Sequence, residues 1–257
     1  MLSNFLIVAI CVLVYVTLWY LYGQKVGKLD VADEAWGLAQ PLIVMVAILW
    51  TRNNAVTSVI LLLLTSIWGF RLFRHLHKRH AKSPNDDMRY TEMKANWQTY
   101  PRLKSYIYVF LLQGVLMYLL GISSMLLIFS PSNQSPLSLI GIFIWIAGFG
   151  FEVIADNQLR KFVSETANKG KIMNKGLWKY SRHPNYFGEV IMWWGIFVYV
   201  LLNTGIAWAI ITPITITYLI VFVSGIPLTE KHFEGNALWA EYKLKTSALI
   251  PWPVKKQ

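Results

Sequence analysis

Apolar residues in this chain neither alternate like a half-buried strand nor mark one face of a surface helix. They run almost unbroken, stop at a short polar cluster, and resume. The runs fall at about 2–22, 34–50, 55–74, 105–130, 137–157, 187–203 and 205–225, each near the roughly 17–25 residues that cross a hydrocarbon core as a helix. The second run is short and opens on carboxylates. "NTG" at 203–205 supplies a turn between the last two runs, which joined would far exceed one bilayer crossing. No positively charged leader and no small-residue cleavage site follow Met1, so the first run is expected to be a retained span. With no linker, low-complexity tract or convincing repeat, the pattern predicts an all-α integral membrane bundle of seven transmembrane helices, a single domain over 1–257.

The basic residues set its direction. If the helices alternate, the segments 23–33, 71–104, 158–186 and 226–257 share one side, and they hold 23 of the 24 Lys and Arg residues; Arg52 is the exception. Lys and Arg accumulate on the cytoplasmic side of membrane proteins. The expected topology therefore has the N-terminus outside, and the long loops and C-terminus in the cytoplasm, in a bacterial inner membrane. Composition agrees: 55% of the residues are hydrophobic and 14% charged, against about 25% charged in soluble domains. The net charge of +11 thus reflects loop placement, and nothing in the sequence points to nucleic acid or an obligate protein partner. The lone cysteine, Cys11, excludes an internal disulfide and a Cys-based metal site.

Ionisable residues inside or beside a span are costly, and they mark functional candidates when they face the bundle interior. In "FEVIADNQLRKF", Glu152, Asp156 and Arg160 lie at i, i+4 and i+8, on one helical face. They form either a self-satisfied ladder at the membrane exit or a ligand site; Glu152, a turn deeper, sets the two readings level. In "KYSRHPNYFGEV", Pro184 suits a first helical turn, and Asn185, Gly188 and Glu189 follow on one face, with Lys179, Arg182 and His183 at the mouth. Snorkelling explains the basic residues, and a helix start preceded by cations also suits an anion. Neither accounts for Glu189. In "KLDVADEAWG", Asp30 reads as an ordinary partner of a helix N-terminus, whereas Glu34, next to the span, remains a candidate. His75, His77 and His80 of "RHLHKRH" sit among four cations, which argues for a basic juxtamembrane stripe over a metal site; no metal is expected. The glycines of "GIFIWIAGFG" follow no strand and do not spell a dinucleotide fingerprint. They read as small residues for close helix packing.

Together, "ADNQLRKF", "GLWKYSRHPNYFGEVIMWWG" and "EKHFEGNALWAEYKLKTSALIPW" resemble the C-terminal half of the steroid 5-alpha-reductase family, closest to its bacterial branch. The resemblance is strongest over 141–253. It implies a seven-helix membrane fold that binds NADPH from the cytoplasmic side and transfers hydride to an activated carbon–carbon double bond of a lipid or steroid-like substrate. By position it implies that Asp156 and Arg160 contact the cofactor and that Asn185 and Glu189 hold its nicotinamide end. Lys171 stands where the family has an Arg near the phosphates, and Lys231 near a cofactor-contacting His. Glu152, Arg182 and His183 complete the expected cofactor set.

The chain departs from the family elsewhere. Steroid reductases polarise the substrate ketone with a Gln-Glu pair and a Tyr, where this sequence has Asp33-Glu34 and, near the Tyr position, Trp68. Pro227 occupies the place of a cofactor-contacting Arg. A steroid ketone site does not carry over intact, and Glu34 or Asp33 becomes the expected catalytic acid. Isoprenylcysteine carboxyl methyltransferases, which bind S-adenosylmethionine, share a similar "RHPxYxG" and tail; a lipid-binding protein without catalysis is a third reading. "ADNQLRKF" and the Asn185–Glu189 pair favour the reductase.

Overall fold

The computed structural model describes residues 1–83 and 85–254. They are helical, with no named strand among them. Among the described residues, seven helices are long and apolar enough to cross a membrane, as the hydrophobic runs predict, and the chain is an integral membrane protein.

In chain order the helices are α1 (Leu2–Val26), α2 (Val31–Thr51), α3 (Val56–His80), α4 (Met88–Asn96), α5 (Pro101–Leu120), α6 (Ile122–Phe129), α7 (Leu139–Ser164), α8 (Pro184–Thr204), α9 (Ala207–Lys231) and α10 (Ala237–Lys245). The expected fourth span, 105–130, is corrected: α5 ends before Gly121 and a separate helix, α6, follows. Hydropathy cannot see such a break, because both sides are equally apolar. The chain divides into two compact units, Met1–Ser135 with Asn203–Ile211, and Pro136–Leu202 with Thr212–Gln257.

The first unit is organised around α2, the most buried of the spans. Gly37 of α2 faces Gly69 of α3 so closely that a Cβ on Gly37 would lie 2.5 Å from the Gly69 carbonyl oxygen. Only glycine allows that approach. Gly27 ends α1 at φ 75°, where its N–H reaches the Gly23 carbonyl. Amphipathic α4 then docks through Tyr90, which is buried with Leu29, Val31, Ala32, Val109 and Phe110.

In the second unit, α7 and α8 pack antiparallel along a glycine seam. A Cβ on Gly148 would lie 2.5 Å from the Met192 nitrogen, one on Gly195 2.5 Å from the Trp145 nitrogen, and one on Gly188 2.5 Å from the Glu152 nitrogen. Gly141 likewise meets Tyr199 and Gly195. The glycines of "GIFIWIAGFG" therefore do pack helices closely, although Gly150 faces open space. In α9 a π-helical stretch, Leu219–Val223, precedes a bend at Ser224–Gly225, after which Pro227 opens a last turn that carries Glu230 and Lys231.

Candidate functional site

The glycine seam fixes the register of the polar residues in the second unit. Glu152 of α7 backs directly on Gly188 of α8. One turn along, antiparallel packing sets Asp156 near the level of Asn185, so Glu152, Asp156, Asn185 and Glu189 belong to one stretch of the helix pair. Glu152 is buried; Asp156, Asn185 and Glu189 are partly so. The Asn185 side-chain oxygen is buried and has no hydrogen-bond partner among the described residues. An amide oxygen left that way costs about 1–3 kcal/mol.

The segment leading into α8 is pinned to α7 from below. Trp178 Nε1 donates to the Ala155 carbonyl at 3.0 Å, and the Leu177 N–H donates to Gln158 Oε1 at 2.9 Å. The C-terminal tail holds it from the other side. Arg182 N–H donates to the Ser247 carbonyl at 2.8 Å, Ser181 Oγ to the Leu249 carbonyl at 2.7 Å, and Tyr242 Oη to the carbonyls of Trp178 and Ser181.

Arg182 and His183 close on a residue that the sequence did not single out. Glu230 Oε1 accepts from Arg182 Nε and Nη2, each at 2.8 Å, and from His183 Nε2 at 3.2 Å, while Glu230 Oε2 accepts from Lys243 Nζ at 2.9 Å. Arg182 Nη1 also donates to the carbonyls of Lys243 (3.3 Å) and Thr246 (2.5 Å). The Arg182 and His183 side chains are 9% and 2% exposed. Burial, with Arg182 adding to it, lowers the His183 pKa below its usual 6.5 despite the opposing pull of Glu230. Arg160 and Lys171 are exposed; Arg160 donates to Asn157 Oδ1. Lys231 is exposed beside Glu230 and lines, with Glu230, Glu234 and Lys243, a cavity of about 510 Å³. A second cavity, of about 310 Å³, lies against Arg182 and the tail. Neither is lined by Glu152, Asp156, Asn185 or Glu189.

In the first unit, both carboxylates of the second helix are hydrogen-bonded, Asp33 in an ion pair and Glu34 to two histidines. Glu34 is clasped by the two histidines that share a face of α3: His77 Nδ1 donates to Oε2 at 2.9 Å and His80 Nδ1 to Oε1 at 3.1 Å. Glu34 and His80 are buried, while the His77 side chain is 55% exposed. Those histidines therefore do more than form a basic stripe. Asp33 accepts from Arg89 Nη2 at 2.8 Å and from Tyr90 Oη at 2.6 Å. Tyr90 Oη in turn accepts from Gln113 Nε2 at 3.1 Å, and Gln113 Oε1 accepts from Trp36 Nε1 at 2.9 Å. Burial raises the Tyr90 pKa well above 10, and Asp33 adds to it. Asp30 stands at the start of α2, where it was expected, although its side chain makes no capping hydrogen bond; Asp86 accepts from the N–H groups of Leu29 and Asp30, both at 3.0 Å.

Glu230, Lys243, Tyr242, Asp86 and Tyr90 were missed because their partners lie dozens of residues away. One signal was available: Arg182, a cation at a helix mouth beside His183, needed a nearby anion, and "TEKHF" offered one. No curated protein and no solved structure matches the chain. The model of the family described as "Protein of unknown function (DUF1295)" matches residues 19–246, a stretch that contains Asp33, Glu34, the glycine seam and the Glu230 clamp, and the chain belongs to that family.

Proposed function

We propose that the chain is a membrane-embedded reductase of the steroid 5-alpha-reductase kind. In this reading it takes NADPH on its cytoplasmic face and reduces an activated carbon–carbon double bond of a lipid. The observation that carries the reading is the Asn185 side-chain oxygen: buried, without a partner among the described residues, and beside Glu189 on a helix start. It is an acceptor in want of a donor, and a nicotinamide carboxamide supplies an N–H₂. Glu152, Asp156 and Glu189 add carboxylate acceptors for hydroxyl or amide donors in the same stretch.

The donor set also limits the reading. Arg182 and His183 are engaged by Glu230, so the charge facing the cofactor's diphosphate falls chiefly to exposed lysines such as Lys171 and Lys231. Arg182 and His183 then position the helix start that carries Asn185. NADPH, when bound, supplies the hydride. Glu34 or Asp33 is the proposed acid; each accepts hydrogen bonds, Glu34 from His77 and His80 and Asp33 from Arg89 and Tyr90, so each would have to take up a proton before delivering one. For Glu34 the solvent-exposed His77 imidazole offers the path by which that proton would arrive. The family resemblance over 141–253 and the one-sided distribution of Lys and Arg support the reading and its orientation in a bacterial inner membrane.

A ligand that binds the native state raises its melting temperature by mass action. NADPH is expected to shift the unfolding of purified protein more than NADH, and S-adenosylmethionine not at all. Glu189→Gln should weaken NADPH by roughly 1–3 kcal/mol while the fold is kept. A shift with S-adenosylmethionine and none with NADPH would transfer the assignment to a methyltransferase.

A further inference from the structure

We propose that the smaller cavity of the second unit, about 310 Å³, is a binding site for a phosphate monoester. Its wall includes Arg182, Lys243, Lys245, Thr246, Ser247 and Trp252, and among the described residues no carboxylate lines it. The larger cavity beside it is lined by both signs, with Glu230 and Glu234 facing Lys231 and Lys243. The charge contrast between the two is therefore local and not a general property of a basic protein.

Hydrogen-bond accounting gives the same direction. A guanidinium has five N–H donors. Arg182 directs two to Glu230 and two to the carbonyls of Lys243 and Thr246, which leaves one Nη2 proton without a partner among the described residues. One carboxylate, Glu230, serves both Arg182 and Lys243, so the inner wall keeps a surplus positive charge. Among the described residues Lys245 is tied to Glu241 alone, whose side chain is 61% exposed and does not line the cavity. A phosphate dianion with three terminal oxygens matches this set of ammonium, guanidinium and hydroxyl donors. Ligand sites span about 300–1,000 Å³, so this volume suits a phosphate with its attached sugar or glycerol rather than a whole dinucleotide. That chemistry has two sources here, the 2′-phosphate of NADPH and a lipid headgroup such as phosphatidic acid.

The test uses full-length protein in nonionic detergent, titrated with NADPH against NADH and with dioctanoyl phosphatidic acid against dioctanoyl phosphatidylcholine. The variants are Lys245→Met, which leaves the Arg182–Glu230–Lys243 contacts intact, and Lys243→Met/Lys245→Met. Losing one charged hydrogen bond should weaken the ligand that bears the phosphate monoester about tenfold and leave its counterpart without that monoester unchanged. A loss seen for NADPH and not NADH assigns the site to the cofactor's 2′-phosphate, and this arm rests on the reductase reading. A loss confined to phosphatidic acid assigns it to a lipid headgroup, and that arm stands even if no nicotinamide nucleotide binds. If Lys245→Met keeps its melting temperature and binds both phosphate ligands as wild type does, or if wild type binds neither, the phosphate site is refuted.

Discussion

Replacing Glu230 by alanine removes the one carboxylate on which Arg182, His183 and Lys243 converge. The Lys243 pair contributes little, because the lysine side chain is 54% exposed and such pairs are worth about 0–1 kcal/mol. The Arg182 pair is different: both side chains are about nine-tenths buried, and removing one member of a buried pair costs about 3–5 kcal/mol. The value here belongs at the low end, about 3 kcal/mol, since Arg182 keeps two backbone carbonyls and the adjoining cavity admits water. At about 2–4 °C per kcal/mol, the apparent melting temperature should fall by about 6–12 °C. Glu230→Gln retains an acceptor and should cost about 1–2 kcal/mol. The assay is tryptophan fluorescence of detergent-solubilised protein at one fixed scan rate, because unfolding of such proteins is often irreversible. Trp178 and Trp239, near the clamp, report on it. Adding Arg182→Met to Glu230→Ala should recover much of the loss, since the uncompensated buried charge goes with it. A Glu230→Ala melting temperature within about 2 °C of wild type would refute the clamp as a source of stability.

The depressed pKa of His183 means that the unfolded chain binds a proton before the folded one does. Its stabilising contribution is therefore complete above pH 6.5 and lost as the pH falls through the lower folded value. Melting temperature should decline on acidification below pH 6.5, and His183→Gln should flatten that part of the profile. Asp87, whose pKa is lowered by its bonds to Arg89 against the effect of burial, acts in the same direction below 3.8. Gly188→Ala places a methyl group 2.5 Å from the Glu152 nitrogen, and overpacking of this kind costs about 1–3 kcal/mol or more; an unchanged thermal unfolding curve would contradict the seam. Asp33→Ala leaves the buried Tyr90 hydroxyl without its acceptor and should loosen α4, read as faster tryptic cleavage after Arg89 and Lys94. With a confirmed substrate, Glu34→Gln should slow turnover strongly with NADPH affinity nearly intact, and Asp33→Asn should do less; wild-type rates in both would place the proton donor elsewhere.

The spans were legible because a hydrocarbon solvent demands long apolar runs, and hydropathy records that demand directly. Their ends were less so. The third span was expected over 55–74, yet α3 continues to His80, because Arg, Lys and His extend a helix well after apolarity has ceased. The glycine packing was also readable, since a small residue in a span has few other uses. Among the site residues, Glu152, Asp156, Asn185 and Glu189 stood out as polar groups in apolar surroundings. Their counterweights did not. Glu230 finds Arg182 across 48 residues and Asp33 finds Tyr90 across 57, and no local period or cap signature encodes a pairing at that distance.

The glycine seam has a mechanical consequence. Gly141 and Gly148 on α7, and Gly188 and Gly195 on α8, share one spacing of seven residues, so the two helices mesh like a pair of racks with two teeth each. A slip of one residue drives a side chain into backbone, and the next meshing position lies a full repeat away, about 10 Å at 1.5 Å per residue. Intermediate sliding is blocked, so α7 and α8 travel as one beam. Tilting α8 about its start carries Glu152 with it, and force applied at Arg182 is delivered along the whole pair without loss of register.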